Sequence, residues 1–179
     1  VEYYHKRKLV PFGEYTPWYD TFIKLSNSLD IPLSNLSHGP DSQKDIFFND
    51  TKLLPLICFE SIFPNLLKSN IENEIIINIS NDGWFGNSLA PYQHLQITQV
   101  RALEFNRYIL RAANTGLSAV INNHGEVIEY IPINKHGKLS GFVPINLDRS
   151  FYSRYGDISV LMLLFLTLLP NCLLYTSDA

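Results

Sequence analysis

The segment KLLPLICFESIFPNLLKSNIENEIIINIS, residues 52–80, decides the fold class. It contains two short apolar runs, LLPLICF and IIINIS, separated by the helix-like stretch FPNLLKSN. Short continuous apolar runs bounded by polar residues are typical of strands covered on both faces. A strand, a helix and a second strand in this order predict an α/β layer architecture.

The sequence after this segment continues the same alternation. Helical spacing between Ala90 and Asn106 places Leu95, Ala102 and Phe105 on one stripe, with further apolar side chains beside it, which predicts a broadly packed helix. Four strand-like runs follow, YILRAAN, SAVIN, VIEYIPI and LSGFVPI, and NNHGE between the second and third has the composition of a tight turn. The second half is therefore expected to be rich in sheet.

The sequence before this segment predicts a strand, a loop and a helix. Residues 3–17, YYHKRKLVPFGEYTP, are interpreted as a strand that runs into a loop fixed by two prolines and a glycine. Apolar residues at helical spacing predict a short helix over residues 17–29, and residues 34–45 have the composition of a surface loop. Because the chain opens at Val1 without a methionine, we expect it to be a fragment.

Composition narrows the function classes. The chain has 179 residues, is 46% hydrophobic and carries a formal net charge of −3, so a real core is expected and nucleic acid is not an expected partner. Its two cysteines, Cys58 and Cys172, lie far apart, which excludes a disulfide framework. The five histidines lack metal-ligand spacing, and we expect neither a metal nor another cofactor.

The C-terminal run ISVLMLLFLTLLPNCLLY, residues 158–175, nearly reaches the roughly 20 apolar residues of a membrane-spanning helix. It predicts a truncated transmembrane helix; the alternative is a buried C-terminal helix of a soluble domain, because Pro170 interrupts the run. The final CLLYTSDA resembles translated adapter sequence, so Cys172 is not expected to be native.

Cys58 is the clearest reactive candidate. It lies where a buried strand should end and a helix should begin at Phe63-Pro64, and a helix N-terminus favours the thiolate. The alternative is an inert core thiol, because free cysteines are often buried. Glu60 would lie on the same side of a strand as Cys58 or would cap the following helix.

Two more charged residues are candidates. Lys6 lies in a strand pattern, where a lysine is usually a solvated edge residue, whereas Glu14 lies in an apolar loop and needs a partner if it is buried. Near a thiolate, the two could stabilise an acyl intermediate and move protons. The turn NDGWFG, residues 81–86, either packs its two aromatic side chains or lines a pocket with them.

Three motifs together carry a resemblance. Tyr4 to Glu14 (Y-x-K-x-x-L-V-P-F-G-E), Ile57 to Glu60 (I-C-F-E) and Asn78 to Gly86 (N-x-S-N-D-G-W-F-G) resemble the nitrilase, or carbon-nitrogen hydrolase, superfamily, and within it the apolipoprotein N-acyltransferase family. The segment of residues 93–122 and the apolar C-terminal run are similar to that family as well. The resemblance implies a nitrilase-like αββα sandwich, present here in part, over residues 1–150, followed by a membrane helix over residues 158–175.

The resemblance also implies residue roles. Cys58 would take an acyl group from a phospholipid as a thioester and pass it to the N-terminal diacylglyceryl-cysteine of a lipoprotein, while Lys6 would stabilise the oxyanion. Glu14 and Glu60 match further glutamates of the site, and Phe59 stands where the family often has tyrosine; with Trp84 and Phe85 it is expected to contact substrate. The family's general-base glutamate would lie before Val1, so residues 1–179 by themselves are expected to be inactive.

The implied setting is the bacterial inner membrane, with the catalytic domain on the periplasmic side. Arg149 and Arg154 precede the apolar run and by the positive-inside tendency would favour the cytoplasm, but we follow the resemblance. Two alternatives stay open: a soluble nitrilase-like amidase that acts on a small amide or nitrile, and a non-catalytic, membrane-tethered interaction domain.

Overall fold

The computed structural model describes residues 2–21, 23, 34–70 and 72–176, with side chains as far as Leu168. One mixed six-stranded sheet, in the order β1-β2-β3-β4-β5-β6, forms the centre of these residues. β2, β3 and β4 run parallel, and the outer pairs β1-β2, β4-β5 and β5-β6 are antiparallel. The strands are Ile46–Phe48 (β1), Thr51–Ile57 (β2), Ile75–Ser80 (β3), Tyr108–Ala113 (β4), Ser118–Ile121 (β5) and Val127–Ile131 (β6).

The helices connect and flank this sheet. They are α1 (Pro64–Lys68), α2 (Ala90–Phe105), α3 (Phe151–Tyr155) and α4 (Ile158–Thr176), with 3₁₀ helices at Cys58–Ile62 and Asp82–Phe85. The α/β alternation predicted around residues 52–80 is confirmed. The predicted helix after Ala90 is confirmed too, and its stripe of Leu95, Ala102 and Phe105 is buried. Val100 and Leu103 are 46% and 55% exposed, so α2 packs more narrowly than expected.

The sheet has one well-covered face. Leu54, Leu56 and Ile76 are almost fully buried in the core, but Ile79 on the opposite face of β3 is 55% exposed. The expectation that both faces are covered is wrong for the residues described, because a run of isoleucines places apolar groups on both faces whether or not both are packed. The described residues contain one mixed sheet with helices, which is an α/β fold, and they contain no second sheet of the expected αββα sandwich.

Two predicted strands are wrong. Residues 2–10 form no strand, because several of their backbone groups bond to side chains: the amides of Arg7 and Lys8 donate to Glu60. Residues 139–145, LSGFVPI, are also irregular, and Pro144 lacks the amide that a ladder would need. The hairpin turn at NNHGE is confirmed by Gly125, whose φ of +79° favours glycine. Most of the helix predicted over residues 17–29 lies outside the described residues.

The C-terminal helix α4 is apolar, and its side chains are exposed over most of the part described, as far as Leu168. From Val160 to Leu168 every leucine, together with Met162 and Phe165, is at least 52% exposed, so the alternative of a buried C-terminal helix is wrong over these positions. None of the helices, over the described residues, combines the length and hydropathy needed to cross a bilayer.

Candidate active site

Cys58 lies at a strained turn between strand and helix, as the sequence predicts. β2 ends at Ile57, and Cys58 begins the 3₁₀ helix with a φ of +51°. A non-glycine residue in this left-handed region costs about 1 kcal/mol or more and persists only where its surroundings hold it. The sharp turn is comparable to a nucleophile elbow, which presents a reactive side chain at the end of a strand. The thiol is free and only partly buried, which does not fit an inert core thiol.

A cavity of about 860 Å³ opens in front of Cys58. Lys6 and Glu14 line it together with Cys58, so the fold brings three of the four predicted catalytic residues to one space. Most of the remaining wall is apolar: it includes Val10, Leu36, Ile57, Phe59, Ile62, Ile79, Trp84, Phe85 and Ile97. Such a wall suits a ligand with a hydrocarbon portion.

Lys6 and Glu14 form a direct ion pair. The Lys6 Nζ donates to the two carboxylate oxygens of Glu14 at 2.6 and 2.7 Å, and the Val10 amide donates to Glu14 at 2.9 Å. The Lys6 side chain is 10% exposed, so the interpretation of a solvated edge lysine is wrong. Glu14, a carboxylate in an apolar loop, is therefore paired with a residue of opposite charge.

Glu60 lies behind the cavity wall and is fully buried. One carboxylate oxygen accepts from the amides of Arg7 and Lys8 at 2.6 and 3.3 Å; the other accepts from the Ile57 amide at 2.7 Å and the Tyr4 hydroxyl at 3.0 Å. Neither expected arrangement is found: Glu60 lies in the 3₁₀ helix and not in a strand, and it bonds the amide at the start of that helix instead of capping the helix that begins at Pro64. Burial and the charge of Glu60 raise the pKa of Tyr4 above its usual range, so Tyr4 stays a donor.

Three aromatic residues flank the cavity. Phe59 contacts Phe63 edge to face, at 5.2 Å between ring centroids. Trp84 is 77% exposed and Phe85 is 37% exposed, which favours the pocket-lining interpretation of NDGWFG over a packed turn. The Asn81 side chain caps this turn by accepting from the Gly83 amide at 3.1 Å.

A buried polar network lies on the inner side of Cys58. Asp82 on the 3₁₀ turn after β3 accepts from Arg111 of β4 at 2.7 Å and from Ser80 at 2.6 Å, and its Oδ1 lies 3.0 Å from Nδ1 of His94 on α2. The other ring nitrogen, Nε2, lies 3.2 Å from the carbonyl oxygen of Cys58. The network therefore connects a charged pair in the core to the backbone of the candidate nucleophile.

The charges in this network stabilise each other. Burial by itself would raise the pKa of Asp82, but the hydrogen bonds with His94 and Ser80 and the charge of Arg111 hold that pKa below its ordinary value. Burial lowers the pKa of Arg111, and Asp82 opposes that shift. Both side chains of the ion pair are completely buried, so each depends on the other as a partner.

The sequence analysis missed His94, Asp82 and Arg111. Arg111 interrupts the apolar strand YILRAA, and a charge at a buried strand position needs a buried partner; that was the available signal. Linear spacing also gave no metal ligands, whereas the fold brings one ligand atom each of Cys58, Asp82 and His94 within 4.8 Å of one another. Both Asp82 oxygens are already hydrogen-bonded, so the network is satisfied as it stands.

Comparison with known proteins adds independent information. A model of the carbon-nitrogen hydrolase family matches residues 1–141. An apolipoprotein N-acyltransferase of Nitrosomonas europaea is 38% identical over 171 residues, which are 95% of this chain and 34% of that protein. The enzyme of the same name from Vibrio parahaemolyticus is 38% identical over 133 residues, 73% of this chain and 26% of that protein.

The chain thus spans about a third or less of the length of these curated relatives. Among solved structures, a carbon-nitrogen hydrolase from Helicobacter pylori matches with a TM-score of 0.50 and 14% identity, over 56% of this chain and 43% of that one. At this identity the match supports the fold alone.

Proposed function

Because this chain belongs to the carbon-nitrogen hydrolase family, we propose that it forms the nucleophile-bearing part of an apolipoprotein N-acyltransferase. The observation that carries the proposal is a mostly apolar cavity whose lining includes both Cys58 and the Lys6–Glu14 pair. The names of the relatives supply the reaction class, N-acylation of an apolipoprotein. We propose, as the motif resemblance implies, that the acyl chain comes from a phospholipid and moves to the amino terminus of a diacylated lipoprotein. Residues 1–150 would form the hydrolase-type domain.

In the first half-reaction, the Cys58 thiolate attacks the ester carbonyl of the phospholipid. A carbon-sulfur bond forms, and the carbonyl oxygen becomes an oxyanion that the Lys6 ammonium stabilises. The ester C–O bond then breaks, the lysophospholipid alkoxide takes the proton that a general base removed from the Cys58 thiol, and the acyl group remains on Cys58 as a thioester. Glu14 keeps the ammonium in place, since it binds Lys6 with both carboxylate oxygens.

In the second half-reaction, the amino group of the lipoprotein attacks the thioester. The C–N bond of the product amide forms, the C–S bond breaks, and the proton lost by the amine is taken up by a base so that Cys58 returns to its starting state. Phe59, Trp84 and Phe85 line the route and would contact hydrocarbon of either substrate. Neither half-reaction calls for a metal or another cofactor.

The Lys6→Met variant tests the oxyanion role. In the full reading frame that contains this chain, we expect acylation of Cys58 by labelled phospholipid to slow by about 10²-fold, the usual cost of losing an oxyanion donor. Cys58 should remain alkylatable, and acyl transfer to a diacylated lipopeptide in detergent is the measurement. Lys8→Met is the matched control, because the Lys8 side chain is exposed on the same segment.

Acylation of the Lys6→Met enzyme at the normal rate would show that Lys6 is only a structural partner of Glu14. Hydrolysis of small amides by the unaltered enzyme, without any transfer to the lipopeptide, would instead place the chain among the soluble amidases.

We further propose that α4 inserts into lipid and belongs to a membrane helix of a bacterial inner-membrane enzyme, with the hydrolase domain on the periplasmic side. Its support is the exposed apolar surface from Ile158 to Leu168, since a helix that is apolar all round and unpacked needs an apolar medium. Such a position would bring the cavity close to its phospholipid donor.

A peptide of residues 157–176 tests the lipid proposal. It should bind vesicles of phosphatidylethanolamine and phosphatidylglycerol and become helical, as measured by circular dichroism. Changing Leu161, Leu164 and Leu168 to lysine should reduce binding by more than about tenfold, because each buried lysine costs about 2.5–3.5 kcal/mol. The same three positions changed to alanine form the uncharged control, and equal binding by the lysine peptide would rule out insertion.

A further inference from the structure

We infer that His94 is a positioning residue for the nucleophile: it holds the backbone carbonyl of Cys58 and thereby directs the thiol into the cavity. The inference rests on the proposed role of Cys58 and adds a residue that none of the motifs or resemblances above assigns. It depends on the contact between His94 Nε2 and the Cys58 oxygen, at 3.2 Å.

The backbone of Cys58 needs such support. Its φ of +51° is unfavourable for a side chain with a Cβ, so hydrogen bonds must retain the conformation. Two side chains reach its carbonyl oxygen: the Ser61 hydroxyl, which donates at 3.1 Å, and the His94 ring. Ser61 belongs to the same 3₁₀ helix and would move with Cys58, whereas His94 comes from α2 and supplies an anchor from outside the turn.

The anchor is itself rigid. His94 is 6% exposed, and Asp82 fixes its ring through the Nδ1 contact at 3.0 Å. Asp82 is fixed in turn by Arg111 and Ser80, so β3, β4 and α2 all contribute to the position of one carbonyl group. A surface histidine could swing away from such a contact, but this one cannot do so without breaking a buried ion-pair network.

The network also orients the ring. Both ring nitrogens face acceptors, the Asp82 carboxylate at Nδ1 and the Cys58 carbonyl oxygen at Nε2, so the ring makes both hydrogen bonds only when each nitrogen carries a proton. With Asp82 at Nδ1, the Nε2 side of the ring faces Cys58 and Ser61. A carboxylate at one ring nitrogen thus sets the orientation of the histidine, and the other nitrogen contacts the backbone of Cys58.

The two amide substitutes for histidine separate this role from simple packing. The side-chain amide of asparagine can replace Nδ1, and that of glutamine can replace Nε2. His94→Asn therefore keeps the bond to Asp82 but loses the contact with Cys58, whereas His94→Gln does the reverse. If His94 only filled the core, the reactivity of Cys58 would not be higher in the glutamine variant than in the asparagine variant.

The experiment measures the rate at which iodoacetamide alkylates Cys58, followed on the peptide that contains Cys58. It also measures acyl-transfer kinetics in the full-length enzyme. We expect His94→Asn to slow alkylation and lower kcat by roughly 10- to 100-fold at unchanged KM, a typical cost of a misplaced reacting group. His94→Gln should stay within about threefold of the unaltered enzyme, by the same reasoning on positioning. Cys58→Ala defines the background.

Equal rates for the two variants, whether both normal or both slow, would overturn the inference, as would a slow glutamine variant beside a normal asparagine variant. If His94→Gln does not fold, Ser61→Ala is the second variant: it removes the hydroxyl that moves with the turn and leaves His94 in place, so alkylation should stay within about threefold of normal, and alkylation as slow as in His94→Asn would count against the inference. The proposed function fails separately: it fails if Cys58→Ala still transfers acyl groups, whatever the His94 variants do.

Discussion

Replacing Cys58 by serine is expected to abolish the acyl-enzyme and to reduce acyl transfer by about 10³-fold or more. A serine hydroxyl is far less acidic than a thiol, and the His94 ring beside this position is engaged with Asp82 and the carbonyl oxygen of residue 58, so we expect the serine oxygen to stay protonated. The labelled acyl group should be trapped by acid on the unaltered enzyme and released by neutral hydroxylamine, which cleaves thioesters. Neither label nor release should be seen for Cys58→Ser.

The Cys58→Ser variant should fold normally, because oxygen and sulfur differ little in size and the Cys58 position is stabilised through its backbone. Its thermal unfolding midpoint is the control for that point. A base-labile but hydroxylamine-resistant acyl label on the introduced serine would contradict the prediction, since it would show that the site activates a hydroxyl as readily as a thiol.

Sequence patterns predicted the elements around Cys58 because the evidence there is local. The strand is indicated by a continuous apolar run that ends at Ile57, and the next helix by Pro64 a few residues later. The helix after Ala90 is likewise indicated by apolar residues at helical spacing. The junction that presents the thiol followed from these alone. The family motifs then gave roles to Lys6, Glu14 and Glu60, which the local pattern offers as candidates but does not connect with one another.

What the sequence did not reveal depends on contacts between distant residues. Arg111 and Asp82 are 29 positions apart, and His94 and Cys58 are 36 apart, so no spacing rule joins them. The local sequence around Lys6 predicts a strand that runs into a loop fixed by two prolines and a glycine. A carboxylate 53 residues away takes the Arg7 amide that a strand would have used, and no local pattern reports such competition.

Glu60→Gln is expected to lower acyl transfer by more than about 10²-fold, because it disturbs both sides of the site at once. The Glu60 carboxylate accepts from the amides of Arg7 and Lys8, which flank Lys6, and from the Ile57 amide, which precedes Cys58. A glutamine has one acceptor oxygen, and its NH₂ group would face amide or hydroxyl donors at the other position. At least two buried donors would then lose their acceptor, at about 1–3 kcal/mol each.

Two measurements separate the contributions to this loss. The free energy of unfolding should fall in Glu60→Gln but not in the matched control Glu72→Gln, whose side chain is 77% exposed. Tyr4→Phe removes a single donor to Glu60 and leaves the three amide bonds intact, so it should retain most of the activity. Because Glu60→Gln loosens the segment that carries Lys6, it should slow acylation of Cys58 more than it slows alkylation of Cys58. Glu60→Gln with normal kcat and stability would show that Glu60 is not what joins the lysine segment to the nucleophile turn.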